Sequence, residues 1–484
     1  RWLTDGAFVL IVVPQPQYTT PEMKSDRSQL PPVGDLPQLD LPELTTFTLS
    51  NGLTVALAER HDVPTVQMNL SFDSGYVADF GGTIGTASFA MTMLTEGTTN
   101  RSSQDIAREL ETLGTRLSAG AGIDRTSIHM DSLVTNLNPS LEIFADVLKN
   151  ATFPDDEIER KRSTWIEGIK KEKATPTSQA LRILPGLIFG DDHAYGVPLT
   201  GSGTEASISA LTRDDLVSFR DTWLRPDNAR LVIVGAITAA EIQPLLEAAL
   251  ADWQAPNTPK PSKQITPVSI TKEQRVYVID QPNAPQSTIL AGHLAPSALV
   301  DEADLIDITN TILGGSFTSR LNMNLREDKG WSYGARTIWQ GWDHAGMFIV
   351  LAPVQTDKTK ESSEEIVKEL SQYRTEKPAS TDELEKVQSN KTAKLPGAYE
   401  TKGALLNAIV RTLNQDKDME WLETYAQRVH SVTVDDVHKN AQTLIQPESL
   451  TWVIIGDAAK IVDEIRSLNL GEVIMLDSDG QPLQ

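Results

Sequence analysis

The order of apolar and polar positions predicts both strands and helices in the first half of the chain. Residues 46–49 and 53–59 alternate as half-buried strands do, and Asn51-Gly52 between them is typical of a two-residue hairpin turn. Elsewhere apolar residues recur every three or four positions, which indicates helices. The further predicted elements are a strand at 66–73, helices at 84–95 and 102–113, strands at 115–121 and 125–134, and helices at 137–149 and 154–173.

The second half of the chain repeats this order of elements. Its predicted elements are strands at 275–280 and 286–294, helices at 301–313 and 317–328, strands at 331–340 and 344–353, and a helix at 358–374. Two segments about 220 residues apart also share one pattern: a capped helix, a Pro turn, and a buried strand that ends at Gly235 or Gly456. The repeat predicts an α+β fold of two homologous domains, each a mixed or antiparallel sheet with helices on one face.

A third, partial copy of the pattern lies at the start of the chain. Residues 2–13 resemble residues 223–234 with one residue deleted. Two interpretations stay open: residues 1–14 are the closing strand of a preceding domain, or they form an adventitious N-terminal strand. Under the first, we expect the chain, which begins with Arg1 rather than Met, to be the C-terminal part of a longer protein. Residues 9–13 would then pair with a sheet edge of another chain.

Proline-rich stretches set the predicted domain boundaries. Seven prolines fall within residues 14–43, a composition typical of an extended connector, and a shorter break lies at 256–261. The predicted organisation is therefore a linker at 15–43, a first domain at 44–254, a linker at 255–263 and a second domain at 264–484.

Charge and composition narrow the classes of partner. A formal net charge of −23 argues against nucleic acid and against anionic membrane surfaces. The chain has no cysteine, which excludes disulfides and thiolate zinc sites and fits an oxidising compartment. We therefore predict a periplasmic location, with the cytoplasm as the alternative. The apolar run at 7–13 is too short to span a bilayer, so no membrane insertion is expected.

The segment at 84–100 carries the most informative motif. Its flanks, Gly-x-Ala-x-Phe from Gly85 and Met-Leu-x-x-Gly-Thr from Met93, resemble those of the pitrilysin/insulinase family of zinc peptidases. In that family the flanks enclose His-x-x-Glu-His, whose two His bind zinc from one helical face while the Glu activates the zinc-bound water. In this chain the three positions hold Ser88, Met91 and Thr92, which are neither zinc ligands nor general bases.

The remaining zinc ligand of the family is also missing from the matching position. The family's third ligand, a Glu about 76 residues beyond the second His, falls on Gly168. The neighbouring Glu167 would serve only if the register were shifted by one residue. The seven histidines of the chain contain no i,i+3 or i,i+4 pair that a helical metal site would need. The resemblance therefore implies a peptidase fold with no metal or other cofactor in this chain.

Other landmarks extend the resemblance over residues 44–470, most clearly at 313–321 and 325–333. Active members of the family use an Arg and a Tyr seven residues apart to hold the substrate backbone and to help stabilise the oxyanion. Arg326 and Tyr333 have that spacing, and guanidinium and phenol donors suit a carbonyl oxygen that becomes negative. The alternative is structural: Arg326 pairs with a nearby acid, and Tyr333 fills one face of a strand.

The resemblance implies a zinc-free half or subunit of a two-part metalloendopeptidase that degrades peptides. A partner with His-x-x-Glu-His, either a separate chain or the N-terminal half of one precursor, would supply the zinc. This chain would supply Arg326 and Tyr333, form half of a clam-shell around the peptide, and be inactive alone. The alternative is a catalytically inert scaffold or assembly subunit with a degenerate peptidase fold. Retention of the Arg–Tyr pair favours the first prediction, because a scaffold needs neither residue.

Overall fold

The structure, a computed structural model, describes residue 11 and residues 39–483. The predicted closing strand at 1–14 and most of the predicted linker at 15–43 lie outside the described residues. Strands and helices alternate throughout the part of the chain that the structure describes. The strands are β1 (Leu44–Thr48), β2 (Thr54–Glu59), β3 (Thr65–Phe72), β4 (Arg116–Ala121), β5 (Thr126–Leu133), β6 (Ala229–Gly235), β7 (Arg275–Asp280), β8 (Gln286–Ala295), β9 (Arg336–Gly341), β10 (Gly346–Gln355), β11 (Thr451–Gly456) and β12 (Val473–Leu476).

Helices separate the strands in the same order in both halves. The helices are α1 (Thr86–Met93), α2 (Ser103–Leu113), α3 (Leu137–Asn150), α4 (Asp155–Ala174), α5 (Pro176–Phe189), α6 (Glu205–Ala210), α7 (Arg213–Trp223), α8 (Ala239–Leu250), α9 (Ala303–Asn310), α10 (Arg320–Asn322), α11 (Thr359–Arg374), α12 (Thr381–Thr392), α13 (Leu395–Ala398), α14 (Lys402–Asn414), α15 (Met419–Glu423), α16 (Tyr425–Ser431), α17 (Val434–Leu444) and α18 (Ala458–Arg466). Two π-helical segments, Thr311–Gly315 and Met323–Asp328, continue α9 and α10.

The strands form two six-stranded mixed sheets with matching topology. The first has the order β1-β2-β6-β3-β5-β4 and the second β12-β7-β11-β8-β10-β9. In each sheet the strand that closes the repeat lies in the middle: β6 runs parallel to β2 and antiparallel to β3, as β11 does to β7 and β8. The edge strands differ, because β1 is antiparallel to its neighbour and β12 is parallel. The sequence prediction of two similar α+β units with mixed sheets is confirmed.

Capping boxes fix the start of the helix that precedes each central strand. Thr212 and Asp215 cap α7 reciprocally, and Thr433 and Asp436 do the same for α17. Each pair satisfies two of the backbone donors that a helix start leaves without partners. The repeat recognised in the sequence is therefore a repeat of helix start, turn and buried strand.

The largest apolar core packs one face of the first sheet against α1, α2, α3, α7 and α8. Leu57, Leu70 and Ile233 project from the strands into this core and are fully buried. The second sheet has an equivalent core, in which Val278 and Ile454 pack against helices that include α9, α11 and α17. Each sheet thus buries one face against helices of its own half, as the sequence predicts.

The opposite face of each sheet is covered by a helix from the other half. Leu405, Leu406 and Ile409 of α14 pack on Val232 and Val234 of the first sheet. The two halves therefore exchange helices, and helices lie on both faces of both sheets, beyond the single face expected from the sequence.

The exchange is reciprocal, because α5 of the first half lies on the second sheet. Ala180 and Leu184 of α5 join a buried cluster with Tyr277 and Ile455. Gly292 permits this close approach, since a Cβ there would lie 3.3 Å from the Leu184 side chain. A larger residue in β8 would push α5 away from the sheet.

A buried ionic cluster joins the corresponding hairpins of the two sheets. Asp124 lies in the β4–β5 turn and accepts hydrogen bonds from the Tyr195 hydroxyl at 2.8 Å and the Asp343 amide at 3.0 Å. Asp343 belongs to the β9–β10 turn, the equivalent position of the second sheet. Lys263, only 4% exposed, lies among these acids with its Nζ 2.6 Å from Asp73 Oδ1. The cluster fixes one half against the other where the connecting segment passes between them.

Candidate functional site

The two residues proposed to contact substrate lie on irregular backbone before strand β9. Arg326 belongs to the π-helical segment Met323–Asp328, and Tyr333 belongs to the loop that follows it. The sequence predicted a strand at 331–340, but β9 begins only at Arg336. Tyr333 therefore fills no strand position, and its side chain is 85% exposed. The role of Tyr333 in substrate contact stays a prediction.

The Arg326 guanidinium has contacts on its face and at Nε, whereas its two Nη groups are open to a ligand. Its guanidinium stacks on the Phe317 ring, with Cζ 4.7 Å from the ring centroid. Its Nε lies 3.2 Å from Glu327 Oε1, and both side chains are about 40% exposed. In the described residues no acceptor lies within hydrogen-bond reach of its two Nη groups. Arg326 does pair with a nearby acid, yet most of its donors remain available to a ligand.

The π-helical end of α9, which precedes the helix of Arg326, packs closely against strand β9. A Cβ on Gly314 would lie 2.4 Å from the Thr337 amide nitrogen, so only glycine allows this contact. Asn322, one helical turn before Arg326, is buried and bridges the two neighbouring loops. Its Nδ2 donates to the Phe317 carbonyl at 2.6 Å, and its Oδ1 accepts from the Ala335 amide at 3.1 Å. These contacts set where Arg326 stands relative to the Tyr333 loop.

Arg326 borders an open depression with a volume of about 500 Å³. The floor is formed by Gly314, Leu351 and Pro353, and Phe317 stands at the wall. A second arginine, Arg336 at the start of β9, also lines the depression. The lining thus combines two guanidinium groups with apolar side chains.

The face of α1 that matches the zinc motif is mostly buried. Ser88 and Met91 of α1 are 8% and 1% exposed, and Thr92 donates from Oγ1 to the Ser88 carbonyl at 3.0 Å. The loop at Gly201 lies directly against this face. A Cβ on Gly201 would be 3.0 Å from Ser88 Oγ and 2.6 Å from the Tyr76 ring. The Gly201 backbone and the Tyr76 ring therefore cover the Ser88 side chain.

A buried carboxylate anchors the start of the same helix. Asp79 accepts hydrogen bonds from the amides of Gly85 at 2.9 Å and Ala87 at 3.0 Å. Burial raises the pKa of Asp79 to about 7, although these backbone hydrogen bonds act in the opposite direction. Asp79 is engaged by the helix and is not directed at a ligand.

The other predicted position of the former zinc site lies on α4. Gly168 is exposed and has open space where a side chain would begin. The neighbouring Glu167 points to solvent and pairs with Lys170 at 2.8 Å. Two hydroxyls and a glycine stand where the family has two imidazole ligands and a carboxylate ligand, and a thioether stands at the general base, so these residues do not fit the ion. Among the described residues, no group of three or more His, Asp or Glu is arranged to hold a metal.

Comparison with known proteins decides the family. Residues 54–188 match the family model described as Insulinase (Peptidase family M16), and residues 210–391 match that of the Peptidase M16 inactive domain. Together the two matches span more than half of the chain. The chain belongs to peptidase family M16. The resemblance to the pitrilysin/insulinase family found in the sequence is thereby confirmed.

Relatives and solved structures of the M16 fold resemble most of this chain. The uncharacterized zinc protease YmxG of Bacillus subtilis is 22% identical over 327 residues, which cover 67% of this chain and 77% of the relative. A crystal structure of a peptidase M16 inactive domain from Pseudomonas fluorescens has a TM-score of 0.78 at 21% identity, covering 85% of this chain and 98% of that one. The periplasmic protease PqqL of Escherichia coli has a TM-score of 0.69 at 16% identity, covering 89% of this chain and 50% of that one. At sequence identities of 21% and 16%, the similarity to these solved structures shows a shared fold only.

Sequence reasoning missed three residues around Arg326. Phe317, Asn322 and Arg336 all lie within ten residues of it, in or beside the segments 313–321 and 325–333. The one signal for Phe317 was its place inside the first of these segments. Asn322 gave no signal, because its role depends on two loops that meet only in the folded chain.

Proposed function

We propose that this M16 chain is the zinc-free half or subunit of a two-part metalloendopeptidase. It would contribute Arg326 and Tyr333 to an active site whose zinc is held by a partner with His-x-x-Glu-His. The observation that carries the proposal is the contrast between the two sites. Ser88 and Met91 are buried, whereas Arg326 lines an open depression and Tyr333, seven residues further on, is exposed in the loop that follows. Both side chains can therefore be reached by a ligand, while the former zinc positions cannot.

The chemistry assigned to the pair is binding and charge stabilisation. The Nη groups of Arg326 would donate to a peptide carbonyl, and the Tyr333 hydroxyl would add one further donor. Stacking on Phe317 and the contact with Glu327 limit the motion of the guanidinium before substrate arrives. Preorganised donors are effective in this role because they need not reorganise when charge develops on the oxygen. Loss of one such donor lowers kcat by about 100-fold or more in comparable sites.

The peptide would be held between this chain and its partner, in half of a clam-shell enclosure. Among the residues that the structure describes, no helix is both long and apolar enough to cross a bilayer. We propose the periplasm as the location, supported by the absence of cysteine and by the periplasmic protease among the structural neighbours. Cell fractionation of the tagged full-length protein tests this, and a cytoplasmic signal would contradict it.

The test of the function is a reconstitution assay with a quenched fluorescent peptide. The chain, its presumed M16 partner and their mixture are assayed with zinc. The expected result is activity only in the mixture and a loss of about 100-fold with Arg326→Ala or Tyr333→Phe. Arg466→Ala serves as the matched control, because Arg466 is also a half-exposed arginine paired with a nearby acid on its own helix. This control should retain full activity.

The inert scaffold remains the second candidate, favoured by the match of residues 210–391 to the inactive domain. Full partner activity without this chain, or with the double variant Arg326→Ala/Tyr333→Phe, would establish it. Peptidase activity of the chain alone would contradict both candidates, because the residues at the zinc motif cannot support it.

A further inference from the structure

The depression beside Arg326 carries positive charge within an acidic protein. Two guanidinium groups, from Arg326 and Arg336, line it, and none of its lining residues is an Asp or a Glu. The chain as a whole has a formal net charge of −23. We propose that this depression is an anion subsite that binds a carboxylate of the peptide, with Arg336 as a specificity-determining residue. This inference rests on the proposed function, since it names the class of peptide that the site would take.

Arg336 is free to serve such a ligand. It is exposed, and in the described part of the chain its guanidinium forms no ion pair and no hydrogen bond with another residue. Its backbone is fixed as the first residue of β9, where Arg336 is paired with Leu351 of β10. Most other arginines in the described part of the chain form an ion pair or a hydrogen bond. Arg320, a few residues before Arg326, forms an ion pair with Glu383 at 2.6 Å. Strand pairing therefore fixes the backbone of Arg336, and no neighbouring acid in the described part of the chain neutralises the charge of its guanidinium.

The apolar part of the lining supplies contact area beside the two charges. Leu351 is buried, and Pro353 and Gly314 add no polar side-chain atoms. Because the depression is open and Arg336 is exposed, a carboxylate there gains the modest attraction of a surface ion pair. Glu327 engages the Nε of Arg326 but does not line the depression. The Nη groups of Arg326 can therefore still share the carboxylate with Arg336.

The size and lining of the depression define the ligand more closely. A volume of about 500 Å³ accommodates about two side chains, and its wall includes the exposed ring of Phe317. The preferred peptide would carry Asp or Glu, or a free C-terminal carboxylate, next to an apolar residue. A Lys or Arg at the same position would meet two like charges and be disfavoured.

The test measures peptide binding to the full chain alone, without catalysis. Four peptides with one common apolar sequence carry a neutral fluorescent dye. Three have amidated C-termini and hold Glu, Gln or Lys at one internal position, and the fourth holds Gln and a free C-terminal carboxylate. Fluorescence anisotropy gives Kd at low salt and in 0.5 M KCl (~3–5 Å Debye length).

We expect at least one carboxylate peptide to bind about fivefold more tightly than the amidated Gln peptide, and the Lys peptide to bind most weakly. Whether the Glu peptide or the free C-terminus gains more identifies the source of the carboxylate. Arg336→Gln should remove the preference, and high salt should reduce it. Arg116→Gln is the matched control, because Arg116 is an exposed arginine that begins the equivalent edge strand β4 and lies outside the depression.

Several results would overturn the inference. These are equal binding of all four peptides, no measurable binding of any, a preference that survives Arg336→Gln, or a preference lost in Arg116→Gln. The outcome is separable from that of the proposed function. Failure of the reconstitution assay with intact carboxylate preference would leave a peptide-binding subunit, whereas full reconstitution with no preference would leave the peptidase and remove the subsite.

Discussion

His293 lies in β8 at the centre of the second sheet and should make the stability of the protein depend on pH. It is 2% exposed and stacks on Phe348 with 5.2 Å between ring centroids. Its Nδ1 lies 2.7 Å from the Leu294 carbonyl oxygen, and its Nε2 accepts from the Gln446 amide at 3.1 Å. A carbonyl can only accept and an amide can only donate, so the ring is held as the neutral tautomer with the proton on Nδ1.

The magnitude follows from the shift of the pKa. Burial lowers the pKa of His293 to about 4, compared with about 6.5 in an unfolded chain. Above pH 6.5 the ring is neutral in both states and the shift has no effect. Between pH 6.5 and 4 the unfolded chain binds a proton that the folded chain does not, so the free energy of unfolding falls as the pH falls. The loss from this residue reaches about 3 kcal/mol at pH 4.

The assay is urea unfolding of the wild type and of His293→Asn at a series of pH values from 7.5 to 4. The Asn side chain retains a donor for the Leu294 carbonyl but cannot titrate. The variant should be less stable at pH 7.5, and its disadvantage should shrink by about 3 kcal/mol towards pH 4 because only the wild type carries this penalty. NMR titration of the imidazole carbon signals provides a direct measurement. A difference between the two proteins that does not change with pH, or an imidazole that titrates near pH 6.5, would refute the reasoning.

Four further predictions follow from the packing and the site. Ile409→Ala in the exchanged helix α14 should lower the free energy of unfolding by about 2–4 kcal/mol in urea, and a loss below about 1 kcal/mol would contradict the buried contact. Lys263→Met should destabilise the protein by about 1–2 kcal/mol, because the buried Asp124 loses its neighbouring cation while Arg125 still pairs with Asp343 and the partly exposed Asp73; an unchanged Tm in a thermal scan would speak against this. Gly314→Ala should abolish activity in the reconstituted mixture while circular dichroism stays near wild type, since its Cβ would collide with Thr337; wild-type activity would disprove the close contact. Tyr333→Phe should change the unfolding free energy by less than about 0.5 kcal/mol, and a larger change would indicate a structural role for the hydroxyl.

Local elements were predictable from the sequence because their signals are local. The predicted strand at 275–280 agrees with β7, and the predicted helix at 102–113 begins one residue before α2. Ser102 caps α2 with Asp105, a motif visible in the sequence. The sequence repeat also predicted that the two sheets are similar, because the same order of elements favours the same order of strands.

The sequence did not predict which sheet each exchanged helix covers. The apolar residues of α5 and α14 show that each helix has a face to bury, but periodicity does not say which sheet covers it. That choice depends on contacts such as those of Gly292 with Leu184, whose positions are more than a hundred residues apart in the chain. Long-range packing of this kind has no local signature.

The backbone of the candidate site was not predictable from the sequence. Arg326 and Tyr333 were proposed from their spacing and from the family resemblance, and the segments expected there as plain helix and strand are a π-helical segment and a loop. Ser332 interrupts the strand, because its Oγ donates to the Pro353 carbonyl and accepts from the Gly334 amide. These side chain to backbone bonds compete with the ladder that the alternation of Trp331 to Trp339 suggested.

The reciprocal placement of α5 and α14 has a consequence for how the protein can be divided. Either half by itself would carry a sheet with one apolar face uncovered, a surface that favours self-association. The cover for that face is a helix of the other half, in both directions. We therefore expect the two halves to be stable only together, so that a deletion or a proteolytic cut that removes one of them exposes the apolar face of the other.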